Sequence, residues 1–202
     1  MNEFIYNSKN SLPDTMCDEI IELFETSEGK YDGMTLSGVL KHLKDTTDFI
    51  IPKNNKIWHN IEQYLYNELS TKLLDYMDVV NKKEEYNLQN NSNITFKVFG
   101  DNTIQHIDSF MIQKYEKGAG KYIYHNDFLM DINKSRYRTI TYLWYLNTIE
   151  EGGETEFFGN YKIKPEKGKL ILFPASWCYP HRGKVPISDN KYIITGWFYI
   201  NI

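Results

Sequence analysis

A histidine and a carboxylate stand two residues apart in the middle of the chain, at His125 and Asp127. If this segment is an extended strand, both side chains leave the same face, because side chains alternate along a strand. An imidazole beside a carboxylate supplies two of the three groups that hold a non-haem Fe(II) ion. Such a centre needs one further histidine and open coordination positions. The spacing therefore predicts part of a metal site and raises the question of the third ligand.

The chain has five histidines, so the third ligand has four candidates: His42, His59, His106 and His181. His42 and His59 lie in the helical amino-terminal part, and His106 lies just before the strand that leads to the first two ligands. His181 lies much later, after the Phe-Pro-Ala-Ser-Trp segment at 173–177, at a predicted strand start. Two ligands from one strand and one from a distant strand is the layout that such a centre needs, which favours His181.

A lysine ten residues beyond His181 begins the last predicted strand. Residues 183–190 are rich in turn-forming types, and we expect them to make a hairpin that brings Lys191 back beside His181. The ammonium of Lys191 would then be aimed into the same cavity. Trp197 lies on the same face of this strand by alternation, and we expect it to belong to the barrel core.

Length and composition limit the class of protein. A chain of 202 residues suits one domain, with helical and loop support over 1–105 and a strand-rich core over 106–202. A formal net charge of −4 without a basic block disfavours nucleic acid as a partner. There is no apolar run of membrane-spanning length, no signal-peptide pattern, and too few cysteines for a disulfide framework. We therefore expect a cytoplasmic protein with no membrane partner.

Two amphipathic helices are predicted in the first region. The first runs from about residue 12 to about residue 29, with Ser11 and Asp14 as N-cap candidates. The second runs over 56–78, where apolar residues recur at every fourth position. Because both precede a strand-rich half, we expect them to buttress one face of a sheet.

The rest of the chain is predicted as loops and strands. Residues 29–55 are expected to form loops with at most one strand, and residues 79–105 a surface loop or a substrate-covering excursion. About eight short antiparallel strands then suit a jelly roll, or double-stranded β-helix, which makes the fold class α+β. We place these strands near residues 107–116, 121–127, 137–147, 154–158, 161–164, 168–173, 178–183 and 191–200.

Four groups of residues follow one another in the strand-rich half. They are Tyr115-x-x-Gly118 with Tyr122-x-x-His125-x-Asp127, then Arg138-x-x-Thr141 with Tyr145-Leu146-Asn147, then Gly152-Gly153-Glu154-Thr155-x-Phe157, and last Phe173-Pro174, His181, Lys191-Tyr192 and Trp197. In this order they resemble the Fe(II)/2-oxoglutarate dioxygenases, most closely the prolyl 4-hydroxylase branch. The resemblance covers roughly residues 106–200. A His-x-Asp pair alone is a weak signal, whereas the ordered set with its late lysine is specific.

The resemblance implies an activity and a role for each matching residue. The activity is hydroxylation of a peptidyl prolyl residue with Fe(II), 2-oxoglutarate and O₂, release of succinate and CO₂, and ascorbate as reductant. Lys191 would pair with the distal carboxylate of 2-oxoglutarate, helped by the hydroxyl of Tyr145. Tyr115 would line the cosubstrate pocket, where its hydroxyl could also form a hydrogen bond. The implied metal ligands are His125, Asp127 and His181.

Departures from the family pattern leave the substrate open. Residues 182–187 stand where the collagen-type branch has a small, Cys-containing segment, and Lys191 stands where the hypoxia-sensing branch has arginine. The substrate could instead be a free amino acid or another small molecule. A metal- or carbohydrate-binding jelly roll without turnover is the alternative from a different class. No heptad or large apolar patch predicts an oligomeric state.

Overall fold

The computed structural model describes residues 2–81 and 104–201, with only the backbone described for Asn81 and residues 104–107. The helices in this part of the chain are α1 (Asp14–Thr26) and α2 (His59–Asn81), and neither is long and apolar enough to cross a membrane. Single 3₁₀ turns occupy Asn2–Phe4 and Ile132–Lys134. The strands of the described residues are β1 Tyr6–Ser8, β2 Tyr31–Asp32, β3 Lys44–Asp45, β4 Thr47–Ile50, β5 Ile104–Ile107, β6 Met111–Tyr115, β7 Lys121–His125, β8 Met130–Asp131, β9 Arg136–Tyr145, β10 Thr155–Phe157, β11 Tyr161–Ile163, β12 Leu170–Pro174, β13 His181–Gly183 and β14 Lys191–Asn201.

The strands form two antiparallel sheets. The larger sheet has the order β1-β12-β9-β14-β6-β4-β2, with β5 paired to β14 and β8 paired to β9. The smaller sheet has the order β11-β10-β13-β7-β3. Two facing antiparallel sheets with helices packed on one of them make the predicted α+β double-stranded β-helix, so the predicted fold class is confirmed.

Alternation along the central strands divides the core into two layers. On β9, Tyr142 and Trp144 pack in the layer that contains the helices, whereas Leu143 and Tyr145 pack in the layer between the sheets. Successive side chains leave opposite faces of a strand, so a strand buried on both sides is apolar at consecutive positions. The helices contribute residues spaced by four or eight positions, which form one apolar face of each helix. These are Ile20 and Phe24 of α1 and Ile61, Leu65 and Leu69 of α2.

The start of the first helix differs from the prediction. Helix α1 begins at Asp14, and its N-cap is Pro13, with no side-chain cap, so the predicted capping roles of Ser11 and Asp14 are both wrong. Ser11 is buried, donates a hydrogen bond to Glu68 Oε1 at 2.8 Å and accepts one from Trp144 Nε1 at 2.9 Å. Its hydroxyl therefore ties the segment before α1 to α2 and β9, a tertiary contact that local sequence does not reveal.

Two of the predicted segments have a different local structure. The single strand expected over 107–116 is divided into β5 and β6, which are separated at residues 108–110. Residues 29–55 contain three short strands, β2, β3 and β4, where loops with at most one strand were expected. The loop predicted over 79–105 lies mainly outside the described residues, and its described ends belong to α2 and β5.

The hairpin expected between His181 and Lys191 does not form. Strand β13, which begins at His181, pairs with β10 and β7 in the smaller sheet. Strand β14, which begins at Lys191, pairs with β9 and β6 in the larger sheet. Residues 184–190 therefore cross between the sheets, and the two side chains belong to different walls of the barrel.

Candidate active site

The three predicted metal ligands come together at one end of the smaller sheet. His125 is the last residue of β7 and His181 is the first of β13, and the two are direct partners in the antiparallel register. Asp127 lies two residues beyond the end of β7, and its carboxylate approaches both imidazoles. One ligand atom from each residue lies within 4.8 Å of the other two. The fold thus assembles the group that the spacing predicts.

Hydrogen bonds determine which nitrogen of each imidazole faces this centre. His125 Nδ1 lies 2.8 Å from the carbonyl oxygen of Ile123, and His181 Nδ1 lies 3.0 Å from that of Tyr179. Since a carbonyl only accepts, Nδ1 carries the hydrogen in both rings and Nε2 keeps its lone pair. The two Nε2 atoms lie 3.7 Å and 3.5 Å from the carboxylate oxygens of Asp127. Anchoring the outer nitrogen in this way is typical of metal-binding histidines.

Burial and neighbouring charges put His125 and Asp127 in the protonation states that a metal needs. Burial, followed by the adjacent imidazole of His181, lowers the pKa of His125 below its usual range. Burial opposes ionisation of Asp127, but the imidazoles of His181 and His125 and a hydrogen bond from Thr141 outweigh it and lower the pKa of the carboxyl. Thr141 Oγ1 donates to Asp127 Oδ2 at 2.7 Å. A neutral imidazole beside an ionised carboxylate is ready to bind a cation.

Aromatic side chains hold the two imidazoles in place. The ring of Tyr122 stacks on His125 with centroids 3.5 Å apart and an interplanar angle of 14°. His181 is surrounded by Phe173 and Phe157, whose ring centroids lie 4.8 Å and 5.4 Å from its own. Packed rings of this kind limit both rotation of the ligands and access of water to them.

The other histidines lie apart from this centre. His42 and His59 are exposed and do not join the cluster. His106 lies on β5, where only the backbone is described. Among the described side chains, His181 is therefore the histidine that joins His125 and Asp127.

A cavity of about 590 Å³ lies between the sheets, and its lining includes the three candidate ligands and Tyr115. Lys191 lies behind Tyr115, is 1% exposed, and has its Nζ 3.8 Å from the centre of the tyrosine ring. The ammonium donates to the carbonyl oxygen of Gly153 at 3.1 Å and, within the described residues, forms no ion pair with a carboxylate. Burial lowers the pKa of Lys191 to about 7, against the opposing charge of Glu154. A buried ammonium without an ion-pair partner favours the binding of an anionic ligand.

The two predicted cosubstrate tyrosines differ in their access to the cavity. Tyr115 is part of the lining, and its hydroxyl donates to Gln113 Oε1 at 3.4 Å. Tyr145 is fully buried, and its hydroxyl donates at 2.7 Å to Thr155 Oγ1, which belongs to a lining residue. Burial raises the pKa of both tyrosines, so both hydroxyls stay protonated. Tyr115 is thus at the wall and Tyr145 lies behind it.

Several lining residues had no role assigned from the sequence. Trp197 is only half-buried and lines the cavity beneath the guanidinium of Arg138, whose Cζ lies 3.4 Å from the indole ring centre. The expectation that Trp197 belongs to the core is therefore wrong. Lys44 and Asp48 reach the cavity from the segment that was expected to be loops. Gln113 faces them from β6. By alternation, Gln113 shares one face of β6 with Met111 and Tyr115, and a polar residue between two apolar ones on the same face is the signal that could have identified it.

Sequence comparison places the site within a known family pattern. Residues 110–199 match the sequence model of the 2OG-Fe(II) oxygenase superfamily. The probable prolyl 4-hydroxylase 10 of Arabidopsis thaliana is 31% identical over 128 residues, covering 48% of this chain and 44% of that protein. The chain thus spans less than half the length of this relative. The resemblance to Fe(II)/2-oxoglutarate oxygenases, and among them to prolyl 4-hydroxylases, is confirmed for the half of the chain that carries the site.

Solved structures of prolyl hydroxylases share the fold. A Trichoplax adhaerens prolyl hydroxylase in complex with a hypoxia inducible factor peptide has a TM-score of 0.69 at 20% identity, covering 98% of this chain and 84% of that chain. A viral collagen prolyl hydroxylase from Paramecium Bursaria Chlorella virus-1, in a 2OG complex, has a TM-score of 0.60 at 20% identity, with coverages of 98% and 96%. A Pseudomonas putida prolyl-4-hydroxylase has a TM-score of 0.61 at 17% identity, with coverages of 96% and 91%. At these identities the likeness establishes the jelly-roll fold alone.

Proposed function

We propose that this chain is an Fe(II)- and 2-oxoglutarate-dependent dioxygenase that hydroxylates a prolyl residue of a protein or peptide and releases succinate and CO₂. One observation carries the proposal. The imidazoles of His125 and His181 and the carboxylate of Asp127 meet at a cavity, and the ammonium of Lys191 is buried behind the wall of that cavity with no ion-pair partner among the described residues. The first group suits a divalent metal and the second suits a dicarboxylate. The similarity to prolyl 4-hydroxylases supports the choice of substrate.

The metal would be held by His125, Asp127 and His181. Two Nε2 atoms and one carboxylate are the donors that non-haem Fe(II) takes in oxygenases, with further positions left for ligands. Bound Fe(II) supplies the oxidation of a C–H group with O₂ and 2-oxoglutarate, and ascorbate would keep the iron reduced. The hydrogen bonds from the Nδ1 atoms and from Thr141 keep the three donors aligned.

The cosubstrate would be held at its distal carboxylate by Lys191. The ammonium is already buried, so a carboxylate that reaches it forms an ion pair in surroundings of low polarity. Tyr115 would form the wall beside the cosubstrate, and Tyr145 would support that wall through Thr155. These residues bind and orient the cosubstrate and exclude water, which is the contribution that a protein makes to cofactor chemistry.

A peptide substrate agrees with the character of the cavity mouth. Met34, Leu36 and Phe128 belong to the lining and are 56%, 87% and 48% exposed. Exposed apolar side chains around a site are typical of surfaces that a partner covers. The single-domain organisation over 1–202, a cytoplasmic location and the absence of a nucleic-acid partner stay predictions from the sequence.

The substrate class can be tested with the Fe(II)-loaded chain, 2-oxoglutarate and ascorbate. Prolyl peptide libraries should gain the mass of one oxygen atom, and succinate should form in equal amount. Matched peptides with alanine in place of proline and free proline serve as controls. Oxygen transfer to the free amino acid alone would favour a small-molecule oxygenase. Binding of metal and 2-oxoglutarate without any succinate would favour a jelly roll without turnover.

Replacing Thr141 with valine is expected to weaken Fe(II) binding by about 10- to 100-fold, the usual effect of losing a partner of a metal ligand. Valine has the shape of threonine but cannot donate to Asp127 Oδ2. Titration with Fe(II) under anaerobic conditions measures the effect. Thr141→Ser keeps the hydroxyl and should bind nearly as well as the original chain. Equal affinities for the valine and serine variants would contradict the role of this hydrogen bond.

The affinity for 2-oxoglutarate is expected to fall as the pH rises above about 7. The pKa of Lys191 in the ligand-free chain is about 7, so the ammonium becomes neutral above that pH and the ion pair is lost. The expected slope is about tenfold per pH unit until the pKa of the complex is reached. Calorimetry with the Mn(II)-loaded chain measures it. Lys191→Arg, whose guanidinium stays charged, should flatten the profile; an unchanged slope in that variant would assign the titration to another group.

A further inference from the structure

Residues 44–50 close one side of the cavity by crossing from the smaller sheet to the larger. Strand β3 pairs with β7, which sets Lys44 opposite Tyr122, and β4 pairs with β6, which sets Asp48 opposite Gln113. Alternation gives Lys44, Thr46 and Asp48 one common face, and all three are buried. An inward polar face in an apolar barrel is costly unless its groups are satisfied by one another.

The carboxylate of Asp48 organises these polar groups into one network. It accepts hydrogen bonds from Lys44 Nζ at 2.6 Å, from Thr46 Oγ1 at 2.7 Å and from Gln113 Nε2 at 3.1 Å. Because a carboxylate only accepts, the amide nitrogen of Gln113 must face it, and the amide oxygen must face the other way. That oxygen accepts from the Tyr115 hydroxyl at 3.4 Å. Asp48 thus determines, through Gln113, the direction in which Tyr115 donates.

Tyr115 carries the network to the proposed cosubstrate pocket. Its ring centre lies 3.8 Å from Lys191 Nζ, and on another side the ring touches the backbone at Gly183, where an added Cβ would lie 3.0 Å from Cε1. The ring of Tyr115 therefore packs between the ammonium of Lys191 and the backbone at Gly183. Lys44 Nζ also lies 5.4 Å from the ring centre of Tyr122. The network contacts both tyrosines that flank the site.

We propose that Lys44, Asp48 and Gln113 are positioning residues that hold Tyr115 in the orientation needed to bind 2-oxoglutarate, an inference that rests on the proposed function. Replacing a buried ion pair with hydrophobic residues is often neutral or stabilising, so stability alone does not explain charges in this wall. Lys44 and Asp48 also lie outside residues 110–199, so the family match assigns them no role. The connection of Lys44 and Asp48 to Tyr115 through Gln113 is what gives them a role.

Binding of 2-oxoglutarate to the full, Mn(II)-loaded chain tests the proposal by calorimetry. Gln113→Leu keeps the ion pair but removes the acceptor for the Tyr115 hydroxyl. It should weaken 2-oxoglutarate binding by about 3- to 10-fold, the effect of one hydrogen bond, and leave Mn(II) affinity unchanged. In turnover, the KM for 2-oxoglutarate should rise while kcat changes little.

Variants of Asp48 separate orientation from charge. Asp48→Ala should weaken 2-oxoglutarate binding by a similar factor, and combining it with Gln113→Leu should add no further loss, because both act through Tyr115. The double variant Lys44→Met/Asp48→Asn removes both charges but keeps an oxygen that accepts from Gln113, and it should restore binding. Glu166→Gln is the control for the loss of a carboxylate beside a buried lysine. It removes the ion-pair partner of Lys169, which lies outside the cavity lining.

The proposal is overturned if folded Gln113→Leu binds 2-oxoglutarate as the original chain does, or if the effects of Gln113→Leu and Asp48→Ala add fully. It is also overturned if the double variant binds as weakly as Asp48→Ala, because charge and not orientation would then matter. Failure of the original chain itself to bind 2-oxoglutarate contradicts the proposed function, and this inference with it.

Discussion

Replacing His181 with alanine is expected to lower the affinity for Fe(II) by at least about 100-fold and to abolish succinate formation. Loss of a ligand should exceed the 10- to 100-fold effect of losing a ligand's hydrogen-bond partner. His181 Nε2 lies 3.5 Å from Asp127 Oδ2 at the centre of the cluster, so no other described histidine can replace it. Anaerobic Fe(II) titration and a succinate assay measure the two effects.

The matched control for this variant is His59→Ala, which removes an exposed histidine on α2. That variant should bind Fe(II) and form succinate as the original chain does. Circular dichroism of both variants verifies the fold. If His181→Ala, still folded, retained its iron affinity, the third ligand would have to be sought elsewhere.

Replacing Lys191 with methionine is expected to weaken 2-oxoglutarate binding by about 30-fold or more, because truncating one partner of a buried charge pair costs about 2–5 kcal/mol. Fe(II) affinity should stay nearly unchanged.

The ligand-free Lys191→Met variant should at the same time be more stable than the original chain. The pKa of Lys191 in the folded chain is about 7, below the ordinary value of 10.5. Below pH 7 the buried ammonium therefore destabilises the folded chain to its full extent. Stability increases as the pH rises from about 7 to 10.5, because the unfolded chain then binds more protons than the folded one.

Thermal unfolding without ligand and calorimetry with 2-oxoglutarate measure the two halves of this prediction. Methionine is close to lysine in length and carries no charge, so the cavity wall should keep its shape. Lys169→Met, which changes another buried lysine outside the cavity lining, is the control for ligand binding. Equal losses of Fe(II) and 2-oxoglutarate affinity in Lys191→Met would contradict the assigned role of Lys191.

The cluster of candidate metal ligands was predictable because metal-binding chemistry limits the choice of residue. Few residue types bind Fe(II), the chain has five histidines, and alternation on a strand already places His125 and Asp127 together. The local reasoning that placed Lys191 beside His181 was wrong, and the role of Lys191 in binding the cosubstrate stays a prediction from the family pattern. Local turn composition indicated a hairpin with His181, whereas the strands pair in different sheets. Which strands pair across a long connection depends on the whole barrel and not on the connecting residues.

The closing segment at residues 44–50 could not be predicted in the same way. Its two short strands contain mostly polar residues, which local propensity assigns to loops. They become strands because the edges of β7 and β6 offer hydrogen-bonding partners, and because Asp48 satisfies the inward polar groups. Trp197 is a similar case: an aromatic residue in a central strand suggests core, and only the fold shows that its face borders the cavity.

Succinate formation from 2-oxoglutarate by the original chain, compared with Asp127→Ala, tests the central claim most directly. With Fe(II), ascorbate and O₂, the original chain should form succinate even without its proper substrate, at a low uncoupled rate. Asp127→Ala should form none, because the carboxylate that lies between the two imidazoles is missing. A folded original chain that binds neither Fe(II) nor 2-oxoglutarate and forms no succinate would contradict the assignment.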